Sequence, residues 1–420
     1  IHVAGKRARW RASRMSGSGE TWQGRQQGMQ GKEAVEQLLA AADVRLDGER
    51  PWDMRVSDER VYARILAEGS LGAGEAYMDG WWDCRQLDEL FARLLRSRIH
   101  ERVRPWPVIW HSLVARFLNR QRGRRAWDVG RRHYDIGDDL YERMLDRRMI
   151  YSCGFWDGAR NLDEAQERKL QLVFDKLALA PGQRVLDIGC GWGGAARYAA
   201  EHYGVVVTGV TVSEHQAERA RALCADWPVE ILLCDYRELP TRIERPFDAA
   251  YSIGMFEHVG HHNYERYMRV VRECLTDSGL FLLHTIGNDR PATTADPWVE
   301  RYIFPNSMLP SASQLAPAFE RYFVLEDWQN FGADYDRTLM AWYRRCRDSR
   351  DVLGRHYDQR FQRMWSYYLL SSAGAFRARS NQLWQLVLSP SGLKDGYRRS
   401  QREARFAAAP PGGAAGDLPG

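Results

Sequence analysis

The sequence predicts an α/β protein with a smaller, mainly helical domain ahead of it. Three observations carry that reading. Arg184–Gly194, R-V-L-D-I-G-C-G-W-G-G, runs from a short strand through a glycine turn into a helix. After it, strands and helices alternate, and the strands are nearly continuous apolar runs, the pattern of a parallel sheet covered on both faces. Before it, E-A-V-E-Q-L-L-A-A-A, R-V-Y-A-R-I-L-A-E-G-S and L-D-E-L-F-A-R-L-L-R carry apolar residues at helical spacing.

Taken in order, residues 1–31 are basic, polar and unpatterned, and read as a disordered tail. Helices begin near Lys32 and at Arg60, the second stopped by Gly69. A stretch rich in glycine and aromatics (71–84) and a third helix complete a helical domain over 32–115. Residues 116–132 are a basic linker. Pro105, Trp106 and Pro107 precede Val108, Ile109, Trp110, Leu113, Val114, Phe117 and Leu118, which lie among basic residues. Such a stretch suits a membrane surface or a helix packed between domains. The α/β domain spans 133–395. It predicts a helix over 162–177, strands at 185–188, 205–211, 230–236, 247–253 and 279–286, and helices at 213–223 and 263–275, with Ser213 as an N-cap. Residues 396–420 read as a second disordered tail.

Composition narrows the function classes. The 420 residues include seven scattered cysteines without a C-x-x-C pair, which points to reduced thiols in the cytoplasm rather than a disulfide framework or zinc site. No apolar run approaches the roughly 18 residues of a membrane span. The net charge is +5, and residues 85–132 hold thirteen arginines against Asp88, Glu89, Glu101 and Asp128. That face suits anionic lipid headgroups, nucleic acid, or solvent.

The glycine turn admits two cofactors. Gly189, Gly191 and Gly194 form G-x-G-x-x-G, a dinucleotide fingerprint. Asp187, Gly189 and Gly191 form D-x-G-x-G, which resembles the S-adenosylmethionine (SAM) turn of Rossmann-like methyltransferases, with Gly193 giving the backbone further freedom. A dinucleotide wants an acid at the end of the second strand, and Thr208–Ser213 supplies none. Thr211, Ser213 and Gln216 can instead bond a ribose. Asp235 can meet an adenine amino group and Tyr236 can stack on its ring, although Asp235 also suits a helix cap. Three histidines and Glu257 crowd S-I-G-M-F-E-H-V-G-H-H (252–262), but their spacing matches no standard zinc motif, and a polar role for Glu257 and His258 at a strand end is preferred. His284, in an apolar strand, suits either the core or the site. Nucleic-acid modification would call for a motif such as N-P-P-Y where G-M-F-E stands.

Together these residues resemble the cyclopropane-fatty-acyl-phospholipid synthases. The matching stretches are E-G-S-L-G-A-G-E-A-Y-M-D-G-W-W (68–82), H-Y-D-I-G-D-D-L (133–140), Y-S-C-G-F-W (151–156), the glycine turn, G-M-F-E-H-V-G (254–260), H-T-I-G (284–287), F-G-A-D-Y-D-R-T-L-M-A-W (331–342) and A-G-A-F-R-A-R (373–379). The first separates this branch from single-domain relatives acting on mycolic acids. The resemblance implies transfer of a one-carbon unit from SAM to a cis double bond of a phospholipid acyl chain. It implies a cofactor site of Tyr151, Ser152, Gly189, Gly191, Thr211, Val212, Gln216, Tyr236 and Arg237, which Asp187, Cys190, Gly193, Asp235 and Ile253 complete. It also implies a bicarbonate pocket of Cys153, Glu257, His284, Ile286 and Tyr335.

The chemistry makes such an ion useful. An alkene attacking a sulfonium methyl leaves a cationic carbon that must lose a proton in a dry site, and Phe256, Trp298, Phe331 and Tyr335 are aromatics that can face it. Cys153 reads as a pocket wall, since an electron-rich alkene gives a thiolate nothing to attack. Many relatives carry a cysteine where this chain has Ser372. The helical domain is implied to capture lipid through Gly72, Gly74, Tyr77, Trp81 and Trp82. The implied setting is a homodimer at the inner face of the membrane, without nucleic acid. Alternatives are a fatty-acyl methyltransferase that leaves a methyl branch, and a non-catalytic lipid- or nucleic-acid-binding protein.

Overall fold

The computed structural model describes residues 22–98 and 137–398. The tails before residue 22 and after 398, the linker 116–132 and the Trp-bearing stretch before it lie outside the described residues, as does most of the arginine-rich face. The N-terminal part holds helices α1 (Trp22–Ala40), α2 (Arg60–Glu68), α3 (Ser70–Met78) and α4 (Leu87–Arg96). A two-residue antiparallel ladder joins β1 (Arg55–Val56) to β2 (Trp82–Asp83). Helix α1 starts ten residues before the expected Lys32. Its first turns carry Gly24, Gly28 and Gly31, which hide the helical period from a sequence reading. At Gly69, φ is +61°, and the chain breaks from α2 into α3 there.

The larger part follows with α5 (Asp138–Met144), α6 (Leu162–Lys176), β3 (Arg184–Ile188), α7 (Gly194–Tyr203), β4 (Val206–Thr211), α8 (Glu214–Leu223), β5 (Val229–Leu233), α9 (Leu239–Arg242), β6 (Phe247–Ile253), α10 (Tyr264–Cys274) and β7 (Leu275–Asn288). Then come α11 (Pro297–Tyr302), α12 (Ala312–Phe319), β8 (Val324–Asn330), α13 (Ala333–Asp348), α14 (Arg350–Leu353), α15 (Gln359–Arg377) and β9 (Asn381–Ser389). Seven strands form one sheet in the order β5-β4-β3-β6-β7-β9-β8. The first five run parallel, as the apolar strand pattern requires. β9 alone runs against them, and β8, antiparallel to β9, returns to their direction at one edge. The order turns back at β3 and β6, so the cleft for a ligand opens at their carboxyl ends.

The third strand is shorter than expected. It ends at Leu233 because Asp235 turns the chain into a 3-10 turn over Tyr236–Glu238, its carboxylate accepting from Arg237 N–H. Asp235 is thus the cap that its alternative reading allowed, while it also lines the cleft.

The N-terminal helices and the α/β part share one apolar cluster. It runs from Val61, Tyr77, Trp82, Leu87 and Leu90 to Trp365, Tyr367, Leu370 and Ala373 of α15. Close approach is built in. A Cβ on Gly374 would lie 2.6 Å from both the Asp88 carbonyl and Phe91 Cβ, and one on Gly74 would run into the Trp298 indole. Arg377 closes the seam through ion pairs to Asp88 at 2.7 Å and Asp336 at 3.0 Å.

Candidate active site

The glycine turn is held by two backbone donors: Gly189 and Cys190 N–H reach the Val210 carbonyl at 2.9 and 3.0 Å. At Gly189, φ is +91°, and a Cβ would meet Met255 at 2.6 Å; at Gly191, φ is +54° and the space is open, so backbone faces the cleft there. Gly193 is a correction. It lies outside the cavity walls: with φ at +84° it turns the chain into α7, and a Cβ there would come within 3.0 Å of Ala220 of α8 and 3.1 Å of Cys224. Gly194 lines the cavity in its place and lets the Arg148 carbonyl lie against α7.

Apart from Ser213, which is taken up in capping α8, every other residue expected to bind the cofactor lines this one cavity. Thr211 Oγ1 donates to Gln216 Oε1 at 3.0 Å, and Ser213 caps α8 as expected, accepting from Gln216 N–H. Asp235 Oδ2 pairs with Arg237 Nη1 at 2.7 Å, and the Arg237 guanidinium lies 4.8 Å from the Tyr236 ring centre. Asp187 accepts from Tyr251 Oη at 2.9 Å, and burial pushes its carboxyl up to about 7. Two carboxylates, an aromatic ring and exposed turn backbone fit a cationic adenosyl cofactor.

The Y-S-C-G-F-W loop forms the opposite wall, and the G-A-D-Y-D-R-T stretch pins it from 180 residues away. Thr338 Oγ1 accepts from Gly154 N–H at 3.1 Å and Trp156 Nε1–H at 2.8 Å, and Asp334 accepts from Trp156 N–H at 3.0 Å. Tyr151 and Tyr368 hydroxyls meet at 2.9 Å. The sequence reading missed Thr338, Gln166, Lys169 and Tyr368. Lys169 had a signal: a charged residue at a position where the apolar stripe of α6, with Leu162, Ala165 and Leu172, calls for a core side chain.

The residues expected to hold bicarbonate gather outside the walls of the cofactor cavity. Glu257 Oε1 accepts from Ile286 N–H at 2.7 Å, one strand pleat beyond His284 on the same face of β7. Burial pushes the Glu257 carboxyl up to about 7 and holds His284 neutral. His284 Nδ1 meets Gln385 Nε2 at 3.2 Å. The amide nitrogen donates, so Nδ1 accepts and Nε2 carries the proton. Glu257 Oε2 and His284 Nε2 are both buried without a partner among the described residues. An open acceptor and an open donor are the two kinds of group that the hydroxyl and an oxygen of a bicarbonate ion require.

Tyr335 stacks on Phe376 at 4.5 Å, and Phe331 meets the His284 ring at 5.8 Å. Phe256 and Trp298 do core work instead: Phe256 stacks on Tyr264 at 4.4 Å, and Trp298 packs on Tyr367 at 4.5 Å beneath α3. Cys153 is fully buried, its thiol pushed well up by burial, and touches Thr338 and the Gly154 carbonyl. A thiol so held stays protonated and is a poor nucleophile. His258 lines the cofactor cavity, and burial holds it down at about 4.

A parallel sheet with its ligand cleft at a glycine turn beyond β3, walled by Asp187 and Tyr236, defines the class: a Rossmann-like, SAM-dependent methyltransferase. Within that class the chain belongs to the mycolic acid cyclopropane synthetase family, whose model matches residues 121–386. It is 49% identical over 363 residues to cyclopropane-fatty-acyl-phospholipid synthase of Escherichia coli, covering 86% of this chain and 94% of that one. It is 30% identical over 352 residues to tuberculostearic acid methyltransferase of Mycobacterium tuberculosis, covering 78% and 81%. Among solved structures it is similar to a cyclopropane synthase of Mycobacterium tuberculosis, at 28% identity and a TM-score of 0.58, covering 63% of this chain and 98% of that one. A mycolic acid cyclopropane synthase complexed with S-adenosylhomocysteine (SAH) matches at 28% identity and a TM-score of 0.57, covering 63% and 98%.

Proposed function

We propose that the protein closes a cyclopropane ring across a cis double bond in a phospholipid acyl chain, with SAM as carbon donor and bicarbonate as base. The open pair Glu257 Oε2 and His284 Nε2 carries the bicarbonate assignment. When bound, SAM supplies an electrophilic methyl and bicarbonate takes up the proton that ring closure releases. The chain's own part is positioning. Tyr236 and Asp235 take the adenosine end, and the Gly189–Gly191 backbone lets the cofactor lie against the sheet. Glu257 accepts and His284 donates to hold the anion, and Phe331 and Tyr335 keep water from the cationic carbon and offer it their ring faces.

The experiment is gas chromatography-mass spectrometry of lipids after incubation with SAM, bicarbonate and vesicles of cis-unsaturated phospholipid. The expected product gains one CH₂ and loses the olefin signal, and omitting bicarbonate slows its formation. A gain of CH₂ that leaves a methyl branch selects a second reading, favoured by the likeness to tuberculostearic acid methyltransferase. No gain of CH₂ overturns both.

We further infer peripheral attachment to anionic membrane, supported by the arginine excess of residues 85–132. Among the described residues, no helix is long and apolar enough to cross a membrane. Binding in vesicle sedimentation falls as salt rises; equal binding to neutral and anionic vesicles at all salt concentrations overturns it. The homodimer is a proposal that analytical ultracentrifugation tests.

A further inference from the structure

Gln385 of β9 stands directly opposite His284 of β7, and Gln329 of β8 stands opposite Gln385 on its other side, so the three share one face of the sheet. Residues 383–388 are apolar but for Gln385, which is fully buried. Its Nε2 lies 3.2 Å from His284 Nδ1, and its Oε1 has no partner among the described residues. Lys176 of α6 closes the outer end of the row, its buried ammonium donating to Gln329 Oε1 at 2.5 Å. Burial, and after it the ammoniums of Lys169 and Lys176, keep the His284 ring uncharged.

A neutral imidazole has one N–H for two nitrogens. Its place decides whether Nε2, the open atom of the ring, donates or accepts. With the proton on Nε2, the pocket offers an anion one donor and, in Glu257 Oε2, one acceptor. With it on Nδ1, both open atoms are acceptors, and an anion's oxygen meets only lone pairs. The Gln385 amide decides between them, because its N–H donates to Nδ1 and sends the proton to the far nitrogen. Turned over, the amide would select the other tautomer and put its two N–H donors where Oε1 finds no partner.

We propose that Gln385 is a positioning residue for the base: its amide holds His284 in the orientation and tautomer that offer Nε2–H to the anion, and so sets how tightly bicarbonate is held. The inference rests on the reading of Glu257 and His284 as an anion pocket. It places a determinant of bicarbonate affinity on a strand that contributes no atom to the ion.

Two measurements test it on the purified full chain. Long-range ¹H–¹⁵N correlation spectra of ¹⁵N-histidine-labelled protein report the tautomer, with His284 assigned by the signals lost in His284→Asn. The wild type is expected to carry its proton on Nε2, and Gln385→Leu to show a mixture or the Nδ1–H form. A wild-type ring protonated on Nδ1 overturns the proposal without any variant. The second measurement is product formation against bicarbonate concentration. Gln385→Leu should raise the half-saturating bicarbonate about 3- to 10-fold, the range of one hydrogen bond. The rate at saturating bicarbonate should stay within about 2-fold, because the bound ion then selects the right tautomer. SAH affinity by calorimetry and the melting temperature should hold, since the exchange removes one open acceptor and leaves another. Unchanged bicarbonate dependence, or a rise that comes with weaker SAH binding and a lowered melting temperature, overturns the proposal. Wild type indifferent to bicarbonate removes the anion reading and this proposal with it, a result distinct from the tautomer one.

Discussion

Glu257 shows how a single buried carboxyl ties chemistry to stability. Its ordinary value is 4.5, and burial raises it to about 7. A group whose folded value is raised contributes stability below its unfolded value and loses it as pH rises through the folded one. Wild type should therefore lose up to about 3 kcal/mol between pH 4.5 and 8 through this residue. Glu257→Gln should be spared that loss, so denaturant unfolding at pH 8 should favour the variant more than at pH 5. An unchanged gap between the two would deny the shift. The same variant should turn over about 10²-fold more slowly, since the anion loses its acceptor. Cys153→Ser should keep its rate of product formation, because the native group is a buried thiol and not a thiolate. A dead Cys153→Ser enzyme of normal stability would restore the nucleophile.

Among the elements, α13 does the most positioning. Thr338→Val would leave Gly154 N–H and Trp156 Nε1–H without an acceptor, which costs about 2–4 kcal/mol. It should also weaken SAH binding through the Tyr151–Ser152 loop, with Thr338→Ser restoring both. Unfolding and titration of the two variants check it. The parallel strands and their helices were legible in the sequence, because buried strands are continuous apolar runs and each turn carries its own glycines and caps. Thr211, Asp235, Tyr236 and Ile253 could be placed at one cleft from sequence because each stands at or just past the end of a strand. β8 was not: Val324–Asn330 is half polar and sits at the sheet edge, with Val324 46% exposed. Thr338 and Lys169 were not, since each acts on a partner brought near only by the fold. Gly193 shows the converse, a motif glycine whose freedom serves helix packing rather than the ligand.

For the whole molecule, the shared cluster between the N-terminal helices and α15 predicts one cooperative unfolding unit. Scanning calorimetry should give one transition, with calorimetric and van't Hoff enthalpies in agreement. Two separable peaks would mean that the parts fold independently. Trp298→Ala should lower that single transition by about 3–5 kcal/mol, removing the indole clasped between Gly74 and Tyr367.

Helix α15 touches two worlds at once: Gly374 and Tyr367 seat the N-terminal helices, and the Tyr368 hydroxyl holds Tyr151 at the cofactor wall. A rigid rod shared in this way is a thermodynamic balance beam. If a lipid surface pressing on the N-terminal helices tightens the hold on the cofactor by some factor, the loaded cofactor must tighten the hold on that surface by the same factor. Under that condition, loading the cofactor would hold the enzyme to the lipid surface and its loss would loosen it, with no dedicated switch.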